Sequence, residues 1–88
     1  MVKIHPNSFF EPESACAFIS DVTLSDDESI QSCIWQCVHE HSCQTAVYYE
    51  NDKLCSMFNE RCENGQIQSA DNDLSSVICY RKNHSKNQ

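Results

Sequence analysis

Apolar residues in the first half of the chain follow a helical period. Five of them recur at positions i, i+3, i+4, i+7 and i+8, namely Ile30, Cys33, Ile34, Cys37 and Val38. This spacing places them on one face of an α-helix, which a folded domain buries. Just upstream, Ser25 and Glu28 match a capping box, in which each residue satisfies a free backbone amide of the other. The pattern predicts a helix over residues 26–40.

The rest of the chain favours short strands. Runs rich in β-branched and aromatic residues predict strands at residues 16–19, 44–49, 54–58 and 76–80. Asn64-Gly65 is a strong two-residue hairpin signal and predicts a turn between short strands near residues 61–62 and 66–68. One helix among short antiparallel strands predicts an α+β fold, with the helix packed on an antiparallel sheet.

Length, cysteine usage and charge narrow the class of protein. The chain has 88 residues, enough for one small domain, and 7 cysteines, a density typical of disulfide scaffolds in extracellular proteins. Between Cys16 and Cys79 there are eleven acidic and two basic residues, a net charge of −9. Such a surface excludes nucleic acid, which needs a basic face. No apolar run has the length of a membrane span, so we expect no direct membrane insertion.

The segment from Cys33 to Cys43 holds three cysteines and two histidines, which raises the question of a metal or catalytic site. Zinc sites usually pair their ligands in two short clusters, and this segment has no such pairing. His39 and His41 are expected to be exposed residues near the helix end. The chain also carries no recognisable catalytic motif. We therefore expect no metal, no cofactor and no enzymatic activity.

The cysteine spacing points instead to a structural role. Cys33-x3-Cys37-x5-Cys43, followed by a β-prone run and then Cys55-Ser56-Met57-Phe58, resembles the PAN/Apple domain family over about residues 16–79. The resemblance implies that the helix cysteines form the bridges Cys33–Cys55 and Cys37–Cys43. Apple-type members add a bridge between the two ends of the domain, which here implies Cys16–Cys79.

Cys62 departs from that six-cysteine pattern and is expected to be unpaired. Its polar neighbours, among them Glu60, Arg61 and Glu63, favour exposure. Three alternatives remain open: a bond to a cysteine outside this chain, a covalent dimer through Cys62, or a thiol that stays free or buried. We expect the isolated domain to be a monomer with one reactive thiol.

The resemblance implies a function in extracellular recognition. The expected function is a module that binds a protein or carbohydrate ligand, within a larger adhesive, receptor or zymogen protein. The candidate binding surface comprises Trp35, His39 and whichever of Tyr48 and Tyr49 points outward, because successive strand residues face opposite sides. Trp35 lies roughly 130° from the centre of the helical stripe. The alternative, which we weigh more heavily, is that a loop or the N-terminal arm covers Trp35.

The chain is expected to divide into three parts. We expect an N-terminal arm at residues 1–14, the PAN/Apple-like domain at 15–81 and a polar tail or linker at 82–88. The tail contains the only N-x-[ST] triplet, so Asn83 is an N-glycosylation candidate of a secreted or membrane-anchored glycoprotein. Because no signal-peptide pattern is present, we expect an excised module. The rivals are a stand-alone secreted effector or inhibitor, and an intracellular metal-binding domain.

Overall fold

A computed structural model describes residues 2–69 and 75–80 of the chain. Within these residues the elements are β1 (Val2–Pro6), β2 (Ser8–Glu11), a one-turn 3-10 helix (Ala15–Ala17), β3 (Phe18–Thr23), α1 (Ile30–His39), β4 (Thr45–Tyr49), β5 (Leu54–Phe58), β6 (Gln66–Ser69) and β7 (Ser75–Tyr80).

The strands form two antiparallel sheets, and the larger one lies in the middle of the molecule. Its five strands are arranged in the order β1-β7-β4-β5-β3, and β2 pairs with β6 in the second sheet. Alternate side chains of β4 and β7 face opposite sides: Tyr48 and Ile78 pack in the cluster that contains α1, whereas Val47 and Val77 pack with Phe10 of β2. Three layers result, and the predicted α+β fold, with one helix on an antiparallel sheet, is confirmed.

The helix begins four residues later than the prediction. The capping-box residues form a separate turn, in which the Glu28 amide donates to the Ser25 carbonyl at 2.9 Å and the Ser25 amide donates to the Glu28 carboxylate at 2.7 Å. Ser29 is extended, with φ −144° and ψ −166°, and interrupts the helical path. Lys53 Nζ donates to the Glu28 carbonyl at 2.9 Å, while the Ser32 amide donates to the Ser29 carbonyl. The carbonyl that would have continued the helix backwards is thus bound to a side chain.

The predicted hairpin at Asn64-Gly65 is wrong. The chain does turn there, since the Asn64 amide donates to the Arg61 carbonyl, but β6 pairs with β2 from the start of the chain. Gly65 permits this pairing through its missing side chain. A Cβ at that position would lie 2.6 Å from both the Glu11 carbonyl oxygen and the Phe10 ring. A glycine is therefore needed at position 65 because β2 and the turn approach each other too closely for a side chain.

The first residues of the chain are built into the sheets. Val2–Pro6 pairs along its length with β7, and Ser8–Glu11 pairs with β6, although residues 1–14 were expected to form an arm outside the domain. The predicted strand at residues 16–19 is partly helical, because β3 begins only at Phe18. The predicted tail at residues 82–88, including Asn83, lies outside the described residues.

The structure contains both bridges that the resemblance assigned to the helix. Cys33 is bonded to Cys55 and Cys37 to Cys43, with Cα–Cα distances of 5.4 and 5.2 Å. These bonds tie α1 to β5 and close the turn that follows the helix.

The expected bridge Cys16–Cys79 is wrong. Cys79 is bonded to Cys62 at a Cα–Cα distance of 5.8 Å, and Cys16 is the exposed, free cysteine among the described residues. The reason lies in the strand order, because Cys16 lies in the 3-10 helix that leads directly into β3, and β3 is separated from β7 by β4 and β5. Three strand spacings amount to about 14 Å. Disulfide geometry allows at most about 7 Å between Cα atoms.

Cys62 is correspondingly not the unpaired cysteine, and the alternative of a covalent dimer through it is not supported. Its sulfur lies 3.4 Å from Thr45 Oγ1, and Thr45 is the direct neighbour of Cys79 across the β4–β7 pair. Arg61 and Glu63 are exposed while Cys62 is partly buried, and Glu60 is itself buried, where its carboxylate accepts from the backbone amides of Glu13 and Ser14. Polarity of sequence neighbours was therefore a poor guide to the orientation of this cysteine.

Candidate functional site

The outer surface of α1 presents a stacked pair of rings. Trp35 is 63% exposed, and its ring centroid lies 4.1 Å from that of His39, one helical turn further on. The two side chains face outward because the apolar stripe occupies the opposite side, where Cys33 and Cys37 are fully buried. Within residues 2–69 and 75–80, the cover that we weighed more heavily for Trp35 is absent, since β1 pairs with β7 and β2 pairs with β6. We call these two residues the Trp35–His39 pair.

The two tyrosines of the expected binding surface do not join this pair. Tyr48 is only 4% exposed and lies in the core cluster beneath α1. Tyr49 is partly buried on the other face of the sheet, where it packs with the cluster around Phe10. The alternation of the strand is as predicted, but neither tyrosine contributes an exposed ring beside Trp35.

A second concave feature lies at the beginning of α1. It is an open depression of about 460 Å³ between the helix start, the β4–β5 turn and β7. Its walls are Ser29, Ile30, Tyr48, Glu50, Lys53 and Ser76. We call it the Tyr48 pocket. Sequence reasoning missed it, because its residues come from three separate stretches of the chain that only the folded sheet brings together.

The walls of the Tyr48 pocket carry polar groups that the protein leaves unused. The hydroxyl of Tyr48 has no hydrogen-bonding partner among the described residues, although the side chain is almost completely buried. Ser29 occupies the N-cap position of α1 without making the usual side-chain cap bond. Buried polar groups are ordinarily satisfied, so an unpaired tyrosine hydroxyl in a pocket wall marks a place where a polar partner fits.

The backbone at Lys53 is unusual as well. Its φ of 52° lies in the left-handed region, which side chains other than those of glycine, asparagine and aspartate seldom adopt. Two hydrogen bonds hold this residue: its carbonyl accepts from the Leu24 amide at 2.7 Å, and its ammonium donates to the Glu28 carbonyl at 2.9 Å. The turn is thereby fastened to the loop before α1, and the Lys53 side chain is fixed at the pocket rim.

The loops around this pocket are acidic. Asp26 and Asp27 stand before α1, and Glu50 and Asp52 stand in the β4–β5 turn, against the single cation of Lys53. The hydrogen bond from the Ser25 backbone amide is the main cause that lowers the pKa of Glu28 below its ordinary value. The carboxylate of Glu28 is therefore charged at neutral pH and adds to the negative field of this end of the molecule.

The structure gives no support to the metal-binding alternative for the helix cysteines. Cys33, Cys37 and Cys43 are all oxidised to disulfides, and an oxidised sulfur does not serve as a thiolate ligand. Across residues 2–69 and 75–80, no three His, Cys, Asp or Glu side chains are grouped so as to hold a metal ion. In the same residues, α1 and the other helical segment are too short or too polar to cross a bilayer.

Comparison with known proteins gives one result. The family model described as PAN domain matches residues 2–84, which is nearly the whole chain. No curated protein and no solved structure matches the chain.

Proposed function

The chain belongs to the PAN domain family, and from that premise we propose that it is an extracellular recognition module whose ligand contacts the Trp35–His39 pair. Domains of this family are in general non-catalytic modules that bind proteins or carbohydrates. The finer proposal is that this domain binds a protein ligand, as part of a larger adhesive, receptor or zymogen protein. Three disulfides among 88 residues support an extracellular setting.

The exposure of Trp35 is the observation that carries the proposal. Tryptophan is among the residues that most often dominate the energy of protein interfaces. With 63% of its surface exposed, complete burial by a partner would remove roughly 150 Å² of apolar surface from water. At about 25 cal/mol per Å² this corresponds to about 4 kcal/mol before the costs of association.

The rigid attachment of α1 to the rest of the domain favours ligand binding at the Trp35–His39 pair. Cys33 and Cys37 lie on the buried side of the same helix, and their bonds to Cys55 and Cys43 hold the helix at two points. A contact residue on a fixed element loses little conformational entropy when a partner binds. The ring of His39 further restricts Trp35 through the stacked contact.

A binding comparison with a matched variant tests the proposal. The oxidised domain is passed over immobilised extracellular matrix proteins and cell-surface receptor ectodomains, and binding is followed by biolayer interferometry. We expect Trp35→Ala to weaken any specific interaction by about 100-fold, as for a central interface residue. Phe18→Ala is the control, since Phe18 is also half exposed but lies on β3, away from α1.

The possible results distinguish an error in the assigned binding surface from an error in the assigned class of ligand. Equal binding by the wild type and Trp35→Ala, with loss in Phe18→Ala, contradicts the assignment of the surface. Absence of specific binding to every protein in the panel, while the variant set remains folded, contradicts the proposed preference for a protein ligand.

A further inference from the structure

We propose that the Tyr48 pocket is a second binding site, which accepts a free α-amino acid with an aliphatic side chain in its zwitterionic form. Neither Trp35 nor His39 lines this pocket, so the inference concerns a different part of the surface. It goes beyond the proposed function, because the ligand is a small molecule whose binding does not depend on a protein partner at the Trp35–His39 pair.

The positive side of the pocket lies at the beginning of α1. The N-cap residue Ser29 makes no side-chain bond to the helix, and the first turn contains no acidic residue. Backbone amides at the start of a helix have no acceptor within the helix, and the helix dipole adds partial positive charge there. A carboxylate at this end of the pocket therefore meets donors that no side-chain cap occupies in the described part of the chain.

Lys53 brings a full positive charge to the same end. Its ammonium donates to the Glu28 carbonyl at 2.9 Å, and Glu28 directly precedes the N-cap residue of α1. An ammonium has three N–H groups, so two of them remain for a ligand. Cations are ordinarily favoured at the opposite end of a helix, so a cation held here is compensated when an anion binds beside it.

The hydroxyl of Tyr48 is an independent sign of a ligand at this place. The side chain is 4% exposed and its hydroxyl has no partner among the described residues, so it has left water without replacing the lost hydrogen bond. Core tyrosines usually bind their hydroxyl to a nearby group. Because Tyr48 lines the pocket together with Ser29, its hydroxyl can donate to a carboxylate held at the helix start.

The pocket also has a negative charge, which Glu50 supplies. Glu50 and Lys53 line the same depression, yet Glu50 forms no ion pair with Lys53 or another cation among the described residues. Its carboxylate is therefore available to an ammonium group of a ligand. A free α-amino acid carries its ammonium and carboxylate on one carbon atom, so a small molecule brings both charges into one pocket. A peptide, in contrast, carries them at opposite ends of the chain.

The charges around the pocket favour a ligand without net charge. Asp26, Asp27 and Asp52 stand in the adjoining loops without lining the pocket, and they repel a ligand that carries only a carboxylate. Lys53 and the start of α1 repel a ligand that carries only an ammonium group. A zwitterion has no net charge, and each of its charged groups meets an opposite charge on the pocket wall.

Size and rigidity agree with one aliphatic amino acid. The depression of about 460 Å³ lies at the lower end of the range for small-ligand sites, which is about 300–1,000 Å³. Ile30 supplies an apolar wall, against which an aliphatic side chain can pack. The left-handed backbone at Lys53 and its two hydrogen bonds keep the rim in one arrangement. Uncommon backbone conformations that the surrounding structure enforces are frequent at ligand sites.

The test uses the intact oxidised chain and three related small molecules. ¹⁵N-labelled protein is titrated separately with leucine, with N-acetylleucine, which lacks the ammonium, and with leucinamide, which lacks the carboxylate. Backbone amide shifts are recorded by NMR at constant ionic strength. We expect leucine to give saturable shifts at Ile30, Lys53 and Ser76, with a dissociation constant on the order of 1 mM. Each analogue should bind about tenfold more weakly, because it loses one charge-assisted contact.

A pair of variants in the β4–β5 turn tests the ammonium contact. Glu50→Gln should weaken leucine by about tenfold and should not weaken N-acetylleucine, because it removes the partner of the ammonium. Asp52→Asn is the matched control, since it removes the same charge from the same turn at a residue outside the pocket wall. The control should change leucine affinity by less than about twofold, because exposed charges are screened by salt.

A second pair tests the hydroxyl of Tyr48. Tyr48→Phe should weaken leucine by about tenfold, because it removes one hydrogen bond, and should unfold at the wild-type temperature or above it. Tyr49→Phe makes the same chemical change on the opposite face and should leave leucine affinity unchanged. Glu50 is exposed, so Glu50→Gln remains informative if Tyr48→Phe does not fold. Trp35→Ala should bind leucine normally, so this inference and the protein-ligand proposal fail separately.

Four results would overturn the inference. They are no saturable shift with leucine, binding of N-acetylleucine or leucinamide at least as tight as that of leucine, equal losses in Glu50→Gln and Asp52→Asn, or unchanged leucine affinity in both Tyr48→Phe and Glu50→Gln. The first would mean that the pocket holds water alone, and the second would assign it to a ligand with a single charge.

Discussion

The bridge between Cys62 and Cys79 leads to a quantitative prediction about stability. The perturbation is the double substitution Cys62→Ser and Cys79→Ser, which removes this bond and leaves the other two intact. Serine is chosen because its hydroxyl can still interact with Thr45 Oγ1, which lies 3.4 Å from the Cys62 sulfur. Replacing both cysteines also prevents the released partner from pairing with Cys16.

The magnitude follows from the length of the closed loop. The bonded residues are separated by 17 positions, and the chain-entropy relation gives about 3 kcal/mol for a loop of that length at 25 °C. For a domain of this size each kcal/mol shifts the midpoint of thermal unfolding by about 4–8 °C. We therefore expect the double variant to unfold about 12–24 °C below the wild type.

The matched control is Cys16→Ser, which changes an exposed cysteine that makes no disulfide. A surface substitution of this kind changes stability by no more than about 0.5 kcal/mol. Circular dichroism melting curves give the three midpoints under non-reducing conditions. Maleimide labelling without denaturant should modify one thiol in the wild type and none in Cys16→Ser.

The reasoning is refuted if the control loses as much stability as the double variant. It is also refuted if non-reducing peptide mapping of the wild type recovers a Cys16–Cys79 peptide pair. A double variant that melts within about 4 °C of the wild type would show that this bridge does not restrain the unfolded chain as the loop relation requires.

Four further outcomes are expected. Gly65→Ala should lower the free energy of unfolding by about 1–3 kcal/mol in urea titrations, because the new Cβ would lie 2.6 Å from the ring of Phe10. The hydrogen bond from the Ser25 amide to the Glu28 carboxylate should contribute its full stability above pH 4.5, and this contribution should be lost as the pH falls through the lowered pKa of Glu28. In an NMR pH titration, the chemical shift of the Ser25 amide should change with a midpoint below 4.5. Glu28→Gln should abolish this pH-dependent change. Expression in a eukaryotic secretory pathway should add an N-glycan at Asn83, detected as a mass that a glycosidase removes. Chelators should leave the melting midpoint unchanged, since the bonded sulfurs are unavailable to zinc.

Local patterns in the sequence were sufficient to predict the central part of the fold. The stripe from Ile30 to Val38 placed Cys33 and Cys37 on the buried side of a helix, and the β-prone runs matched β4, β5 and β7 closely. These elements are recognisable because their periodicity lies within a few consecutive residues. The start of the helix was missed because it depends on Lys53, a residue distant in sequence that binds the Glu28 carbonyl.

Long-range pairing accounts for most of the remaining differences. Nothing near Val2 or Ser8 indicates that β1 joins β7 or that β2 joins β6, because each pairing closes a loop of most of the chain. The wrong partner for Cys79 has the same origin, since strand order decides which cysteine lies within reach. Among the candidate binding residues, outward orientation was predictable for Trp35 from helix geometry, whereas the Tyr48 pocket required the assembled sheet.

The pairing of β1 with β7 determines how the domain responds to mechanical load. Val2 and Tyr80 are directly opposite each other, so the chain enters and leaves the described fold at adjacent positions on one edge of the sheet. A pulling force applied between these two ends separates the strands one residue pair at a time, as in unzipping, and does not load all of their hydrogen bonds together. Such peeling would detach β1 from Val2 towards Pro6, while the Cys62–Cys79 bond next to Tyr80 keeps β7 attached to the turn before β6. Under such a load β1, at the edge of the sheet, therefore detaches first, whereas β7 stays anchored by a covalent bond.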